Sequence, residues 1–314
     1  MDRKDIFYKD MEDCRISFSH IADNVTNPAL REIDELYGAA DTLSIQNAQK
    51  HRKILLELAI VGTLLTIAFL LYSAAALYGL ILACVVFIVF LYIIHKMANR
   101  MDCHRKYLEY RVLAETLRVQ FFLSVSGIDK YVADILPWFI RMDIPWIEEM
   151  LSALPKVKTG ERKSVLDCWI RDQKAYHENA LIRSEAKKHR DDRITRIVII
   201  VTLFSYVFAV LFELFVYSSS SVDFNAGVVR MILKIVLGTM SAVSLFTGSY
   251  YGKMSLSNRI GDHRRMVALY EKVECDILQN GESEELLIFL AREFLIENST
   301  WYAYQNKNKP DFMI

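Results

Sequence analysis

The sequence has few of the residues that break helices and few of those that build covalent or metal-bound frameworks. Only 5 of its 314 residues are proline and 11 are glycine. Long segments carry apolar residues three and four positions apart, a spacing typical of helices, and strand patterns are nearly absent. The five cysteines are scattered, odd in number and without a Cys-x-x-Cys pair. The cysteine pattern therefore indicates neither a disulfide framework nor a zinc site.

An excess of charge and the motifs of common enzymes are missing as well. The 38 Lys and Arg residues balance 38 Asp and Glu residues, so the composition does not favour nucleic-acid binding. The sequence contains no Gly-rich phosphate loop, no Gly-x-Ser-x-Gly elbow and no His-Glu-x-x-His motif. We therefore predict that the protein is not an enzyme, that it uses no cofactor or metal, and that it does not bind nucleic acid.

Four apolar stretches are present, each about as long as a helix that crosses the hydrocarbon core of a bilayer. They cover residues 54–72, 77–95, 197–217 and 229–247. The links within the two pairs are short, at residues 73–76 and 218–227. We predict an all-α integral membrane protein with four transmembrane helices in two hairpins and a helical cytosolic domain.

Basic residues near the spans predict how the hairpins are oriented. Lys and Arg cluster before the first and third spans and after the second and fourth, whereas neither outer link contains one. By the positive-inside bias, both termini and the middle segment face the cytoplasm. The predicted domains are an N-terminal cytosolic helical segment (1–53), transmembrane hairpin 1 (54–95), a cytosolic helical region (96–195), transmembrane hairpin 2 (196–247) and C-terminal cytosolic helices (248–314).

Two amphipathic helices are predicted in the cytosolic parts. The first covers residues 103–123, with one apolar stripe, and the second runs from the N-cap residue Ser283 to about residue 306. Each helix has a face with charged residues: Arg111, Glu115 and Arg118 on the first, and Glu293, Glu297 and Trp301 on the second. Such a face is most often solvated surface with weak ion pairs. Alternatively, these six residues form a contact between subunits.

Charged residues within the apolar stretches are candidates for function, because charge is costly at membrane depth. Glu57 lies four residues after Lys53, a spacing that predicts a local ion pair. Glu213 lies at about the depth of Arg230 and Lys234. We predict that Glu213 pairs with one of these two residues, or that the three side chains reach towards the interface.

Small and polar residues in the fourth span indicate a second possible role. Lys234, Gly238, Ser241 and Gly248 follow one another at near-helical spacing, and this face is predicted to line a conduit. The glycines and the serine can equally serve to let helices approach closely. Four helices that fill their own core leave no wide lumen, so the conduit interpretation requires a homo-oligomer.

The pattern around the first hairpin recurs around the second. Residues 48–52 (AQKHR) precede the first hairpin and residues 186–190 (AKKHR) precede the second. Residues 104–106 (HRK) and 263–265 (HRR) follow them. Each half therefore has the order basic helix, hairpin, basic amphipathic helix. We predict an internal repeat, with two hairpins in parallel orientation that form a pseudo-symmetric four-helix bundle.

Several cytosolic segments carry a resemblance to a known family. The segments are residues 107–123 (YLEYRVLAETLRVQFFL), 133–151 (ADILPWFIRMDIPWIEEML) and 169–173 (WIRDQ) with Tyr176. Together with the acidic-plus-Trp ending at Glu297 and Trp301, they resemble the helical region of bacterial SLATT modules, the SMODS- and SLOG-associated two-transmembrane effector modules. The resemblance covers nearly the whole chain from about residue 30, as two modules in tandem.

The resemblance implies a function. SLATT modules are predicted effectors of nucleotide-signalled antiphage systems of the abortive-infection type. The expectation is a bacterial inner-membrane protein that oligomerises and, on activation, forms a pore or perturbs the membrane. Longer relatives carry a nucleotide-sensing domain ahead of the hairpins. Here about fifty residues precede the first hairpin, so sensing is expected of a soluble partner protein or of the cytosolic helices. The alternative is a non-conducting membrane anchor or adaptor that docks a soluble partner through its cytosolic helices.

Overall fold

The computed structural model describes residues 2–22, 25–75, 77–155, 157–159, 166–218, 226–254 and 256–307. Within these ranges every regular element is helical, so the predicted all-α class is confirmed. The helices are α1 (Arg3–Glu12), α2 (Pro28–Ala75), α3 (Leu80–Met101), α4 (Cys103–Val125), α5 (Val132–Ile135), α6 (Trp138–Asp143), α7 (Pro145–Ser152), α8 (Asp172–Ser218), α9 (Ala226–Met254), α10 (Leu256–Asn280) and α11 (Glu284–Lys307), with a π-helical turn at Leu166–Arg171 that runs into α8.

Four helices are long and apolar enough to cross a membrane: α2, α3, α8 and α9. Helices α2 and α8 have 48 and 47 residues, because polar helical segments continue into the apolar stretches without a break. The first link lies slightly later than predicted, since α2 ends at Ala75 and α3 begins at Leu80. The second link falls largely on residues 219–225, which lie outside the described residues.

Local sequence signals account for several helix ends. The side chains and backbone of Asp2 and Asp5 form a capping box at the start of α1. The Oγ atom of Ser283 accepts a hydrogen bond from the backbone N–H of Leu286 at 3.1 Å, which confirms the predicted N-cap of α11. Gly281 ends α10 with a φ of +81°, a conformation that glycine adopts at little cost.

The chain folds into two compact units. Unit 1 contains the described residues within 1–51, 102–182 and 258–311, and unit 2 contains those within 52–101 and 183–257. Each unit therefore combines segments that are distant in the sequence.

Helix α4 is the central helix of unit 1. Its side chains from Leu108 to Val125 are buried, except those of Arg111 and Arg118, which are partly exposed. The prediction of a single apolar stripe is therefore wrong. Helix α11 packs along α4, and the ring of Phe122 stacks on Trp169 of the π-helical turn at 5.2 Å. Because other elements cover α4 on several sides, its polar as well as its apolar residues are buried.

The apolar helices of unit 2 expose most of their side chains. In each of these helices we consider the apolar stretch of 18 residues. The share of this stretch that is buried within the chain is 0% in α8 and 6% in each of α2, α3 and α9. Hydroxyl groups on these helices donate hydrogen bonds to the carbonyl oxygen four residues earlier in the same helix. The residues that do so are Thr63, Thr66, Thr202, Ser205 and Ser241. These hydroxyls are thus satisfied without water.

Candidate functional site

Two arginines of α4 meet two carboxylates inside unit 1. The Nη1 atom of Arg111 donates to Oδ1 of Asp41 at 2.9 Å, and its other terminal nitrogen forms an ion pair with Glu115. The Nη1 atom of Arg118 donates to Oε2 of the same Glu115 at 2.9 Å. The Glu115 side chain is only 4% exposed. We call Asp41, Arg111, Glu115 and Arg118 the α4 ion cluster.

Neutral groups complete the surroundings of Arg118. Its Nη1 atom also donates to Oε1 of Gln173 at 3.2 Å, and its Nη2 atom donates to the hydroxyl of Tyr37. The guanidinium carbon lies 5.0 Å from the centroid of the Tyr37 ring, a cation–π contact. Burial alone would lower the pKa of Arg118, but the neighbouring Glu115 and Tyr37 raise it above its ordinary value.

The charges of the α4 ion cluster balance within the chain. Two guanidinium groups face two carboxylates, so the cluster has no surplus positive charge for an anionic ligand such as a nucleotide. Buried, hydrogen-bonded ion pairs of this kind fix how helices pack rather than bind a ligand. The solvated-surface interpretation of this face is wrong for Glu115, because its side chain is only 4% exposed.

A histidine pair lies beside this cluster. The Nδ1 atoms of His177, on α8, and His263, on α10, are 3.1 Å apart, so one ring nitrogen donates and the other accepts. The ring of His177 also lies 5.9 Å from that of Tyr270. The pKa of His177 is lowered to about 3. Burial is the largest cause, and His263 and the two arginines of the α4 ion cluster contribute to the same shift. His177 is therefore neutral at neutral pH.

Tyr270 is fully buried beside the pair, and Glu297 of α11 is partly buried. The hydroxyl of Tyr270 has no hydrogen-bond partner among the described residues, and its burial raises its pKa. The pKa of Glu297 is raised to about 7, chiefly by burial and also by the nearby carboxylates of Glu115 and Asp262, while Arg111 and Arg265 oppose the shift. Glu297 therefore changes its charge near neutral pH.

The protonation of Glu297 leads to a stability prediction. The folded pKa of about 7 lies above the unfolded value of 4.5, so the folded chain binds more protons and loses stability as pH rises. Glu297→Gln is expected to raise the free energy of unfolding at pH 8 by about 2 kcal/mol more than at pH 5. Denaturant unfolding at the two pH values measures this difference. Glu293→Gln on the same helix is the control, and an equal effect at both pH values for Glu297→Gln would contradict the prediction.

The remaining residues predicted for a subunit contact lie on α11. Glu293 is partly exposed. Trp301 is partly buried against the unit 1 core, with its ring 5.6 Å from that of Tyr107 in an edge-on arrangement. Glu297 is partly buried near the α4 ion cluster. The contact between subunits stays a prediction.

Glu57, Glu213 and Arg230, three charged residues within the apolar helices of unit 2, pair with neighbours. Glu57 lies 3.9 Å from Lys53, as the i,i+4 spacing predicts. Glu213 of α8 accepts two hydrogen bonds from Arg230 of α9, at 2.8 Å from Nε and 2.7 Å from Nη2. Of the two predicted partners of Glu213, the structure thus selects Arg230, whose planar guanidinium matches a carboxylate with two bonds.

The predicted conduit face on α9 contains residues in different surroundings. Lys234 is exposed. A side chain at Gly238 would collide with Leu70 of α2, since a Cβ atom there would lie 2.7 Å from it. The hydroxyls of Ser241 and of Tyr206 on α8 are 2.9 Å apart. Gly248 lies in a stretch whose side chains are outside the described residues.

These contacts bear on both interpretations of that face. Gly238 allows a close approach of helices, which is the role that small residues play in membrane bundles. Among the three residues of the face whose side chains the structure describes, Lys234 is the exposed one. Whether the face lines a conduit stays a prediction.

Sequence reasoning missed most partners of the α4 ion cluster and the histidine pair. Asp41 and Arg111 are 70 residues apart, and His177 and His263 are 86 apart. Neither separation appears as a helical spacing, so only the tertiary fold reveals these contacts. Over the part of the chain that the structure describes, no three His, Cys, Asp or Glu side chains are grouped to hold a metal ion.

Comparison with known proteins adds no further constraint. No family model, curated protein or solved structure matches this chain. The function is therefore inferred from the residues and contacts of the chain, and the resemblance to SLATT modules stays a prediction.

Proposed function

We propose that this protein is a membrane-embedded effector of a bacterial antiphage system, nucleotide-signalled and of the abortive-infection type. On activation it oligomerises in the inner membrane and forms a pore or perturbs the bilayer. Its four apolar helices cross the membrane as two hairpins, with both termini in the cytoplasm. A soluble sensor or signalling protein acts on the cytosolic helices.

The observation that carries this proposal is the exposure of the apolar helices. At most 6% of the 18-residue apolar stretch of each of these helices is buried within the chain. In water, so large an apolar surface would favour association or insertion, because burying it stabilises the chain by roughly 25 cal/mol per Å². A bilayer covers such a surface over the whole length of a helix.

The polar groups of the same helices support insertion. Backbone and side-chain donors need internal partners in a hydrocarbon environment. The hydroxyls of Thr63 and Thr202 find theirs in their own helices, and Glu213 and Arg230 satisfy each other. The basic residues at the inner ends of both predicted hairpins, and the repeated order of elements, support the cytoplasmic location of the termini.

A non-conducting anchor or adaptor is the second candidate. Gly238 packs closely against Leu70, and Ser241 lies within hydrogen-bond distance of Tyr206. These contacts turn two residues of the predicted conduit face towards other helices of the same chain. An anchor of this kind would dock its soluble partner through unit 1 without conducting ions.

Dye release from liposomes separates the two candidates. The full chain, purified in detergent and reconstituted into vesicles, is cross-linked into oligomers and tested for release of an encapsulated dye. The pore proposal predicts release, and it predicts severalfold less release from Lys234→Leu, because a charge facing a wetted surface favours an aqueous path. Lys272→Leu removes an exposed lysine of α10 and should leave the release unchanged.

Topology labelling makes a negative result interpretable. Cysteines placed at Lys50 and Arg264 should be accessible only from the inner side of oriented membranes if the hairpins insert as proposed. Oligomers that are inserted in this orientation and still retain the dye would contradict the pore and leave the anchor. Labelling from the outer side would contradict the membrane topology itself.

A further inference from the structure

Asp102 interrupts the helical path between α3 and α4. Its φ of 47° and ψ of 32° place it in the left-handed region. Over the described residues it is the one non-glycine residue with a positive φ. A side chain with a Cβ atom adopts this conformation at a cost in free energy, which aspartate and asparagine tolerate best. Other contacts must therefore offset the cost.

The carboxylate of Asp102 bonds to helix α1 instead of capping its own helix. Asp102 precedes the first residue of α4, where an aspartate side chain usually accepts a backbone N–H, but it makes no such bond here. Its Oδ2 atom instead accepts a hydrogen bond from Nη2 of Arg3 at 2.8 Å. A glycine would adopt this backbone conformation more readily, yet it could not bind Arg3. The aspartate thus couples the backbone conformation to α1.

Two more residues of α1 bind the first turns of α4. Phe7 is fully buried and packs edge-on against Tyr110, with ring centroids 5.2 Å apart. Asp10 accepts hydrogen bonds from Nζ of Lys106 at 2.6 Å and from the hydroxyl of Tyr110 at 2.7 Å. Positions 3, 7 and 10 share one face of a helix. One face of α1 therefore spans Asp102 and the start of α4.

Asp102 lies at the boundary between an apolar helix of unit 2 and a helix of unit 1. Met101 ends the apolar helix α3 and is the last residue of its stretch of unit 2, and Asp102 is the first residue of the next stretch of unit 1. If Asp102 took right-handed helical angles, α3 and α4 would form one continuous helix.

We propose that α1 is a latch that keeps Asp102 left-handed, and that release of α1 lets α3 and α4 join into one helix. The latch depends only on contacts within unit 1, which includes Asp102. The proposal therefore does not require that the protein forms a pore. If the proposed function is correct, the latch transmits a signal from the cytosolic helices to an apolar helix.

Amide hydrogen exchange of the full chain in detergent tests the latch at residues 103–105. The first N–H groups of a helix lack partners within it, whereas in a continuous helix they bond to the carbonyls of residues 99–101. Asp102→Ala disfavours the left-handed conformation and removes the bond to Arg3. It is expected to raise protection at residues 103–105 by roughly tenfold. Asp102→Gly also removes that bond but accepts the left-handed conformation, so protection should stay as in the parent chain.

Variants of α1 test the latch without changing Asp102. Arg3→Ala and Phe7→Ala are expected to raise protection at residues 103–105, and Lys9→Ala, on the exposed face of α1, is expected to leave it unchanged. Unchanged protection of α11 amides shows that unit 1 remains folded. Equal protection in Asp102→Ala and Asp102→Gly would overturn the proposal, and so would a rise in Asp102→Ala with none in either α1 variant.

Discussion

Glu115→Gln is expected to destabilise the folded chain by about 3–5 kcal/mol, because it leaves two buried guanidinium groups with a single carboxylate between them. Glu115 is 4% exposed and is the residue that both Arg111 and Arg118 contact. The amide oxygen of the variant can accept a hydrogen bond from only one of the two arginines, and its NH2 group faces the other, so the loss reports both the missing charge and one missing acceptor. Urea unfolding followed by circular dichroism at pH 7 measures the change in free energy.

An exposed glutamate of the same unit is the control for this substitution. Glu178→Gln on α8 is expected to change the free energy of unfolding by less than about 0.5 kcal/mol. A loss of similar size in both variants would show that the two arginines do not need Glu115. Asp41→Asn should fall between the two, since Arg111 keeps Glu115 when Asp41 is neutral.

Acidification is expected to destabilise the chain through His177. Its pKa of about 3 in the folded chain lies below the unfolded value of 6.5, so the unfolded chain binds more protons between these values. Stability is therefore lost as pH falls from about 6.5 towards 3. Over the interval from pH 6.5 to pH 4, the loss is on the order of 2–3 kcal/mol.

Replacement of His177 isolates this contribution. His177→Asn keeps a polar group near the position of Nδ1 and removes the titration, so its free energy of unfolding should depend less on pH across the same interval. His189→Asn changes an exposed histidine of α8 and should retain the full pH dependence of the parent chain. A parent chain and a His177→Asn variant with parallel pH profiles would refute the assignment.

Helices and short-range pairs could be predicted from the sequence, because their signals are local. The length of the apolar stretches predicts the apolar parts of α2, α3, α8 and α9, and the type of residue at position 283 predicts where α11 begins. The pair of Glu57 with Lys53 follows from their separation by one helical turn. Similar depth in the helices leaves Arg230 and Lys234 as partners for Glu213, and the structure shows Arg230.

The burial of α4 could not be predicted from its own residues. Arg111, Glu115 and Arg118 look like a solvated ridge when the helix is considered alone. The two arginines instead donate hydrogen bonds to residues on other helices, such as Asp41 and Gln173. Contacts between residues so far apart in the sequence produce no periodic pattern from which they could be predicted. The left-handed conformation of Asp102 could not be predicted from the sequence either, because aspartate also occurs within helices and is common at N-caps.

Helix α2 runs without interruption for 48 residues, from Pro28 to Ala75, a length of about 70 Å at 1.5 Å per residue. Its helical hydrogen bonding continues over this whole length, so it resists bending and twisting more than a path that contains a non-helical residue. The path from α3 to α4 contains such a residue at Asp102. The two covalent routes towards the first apolar pair thus differ mechanically: one is rigid and the other can bend.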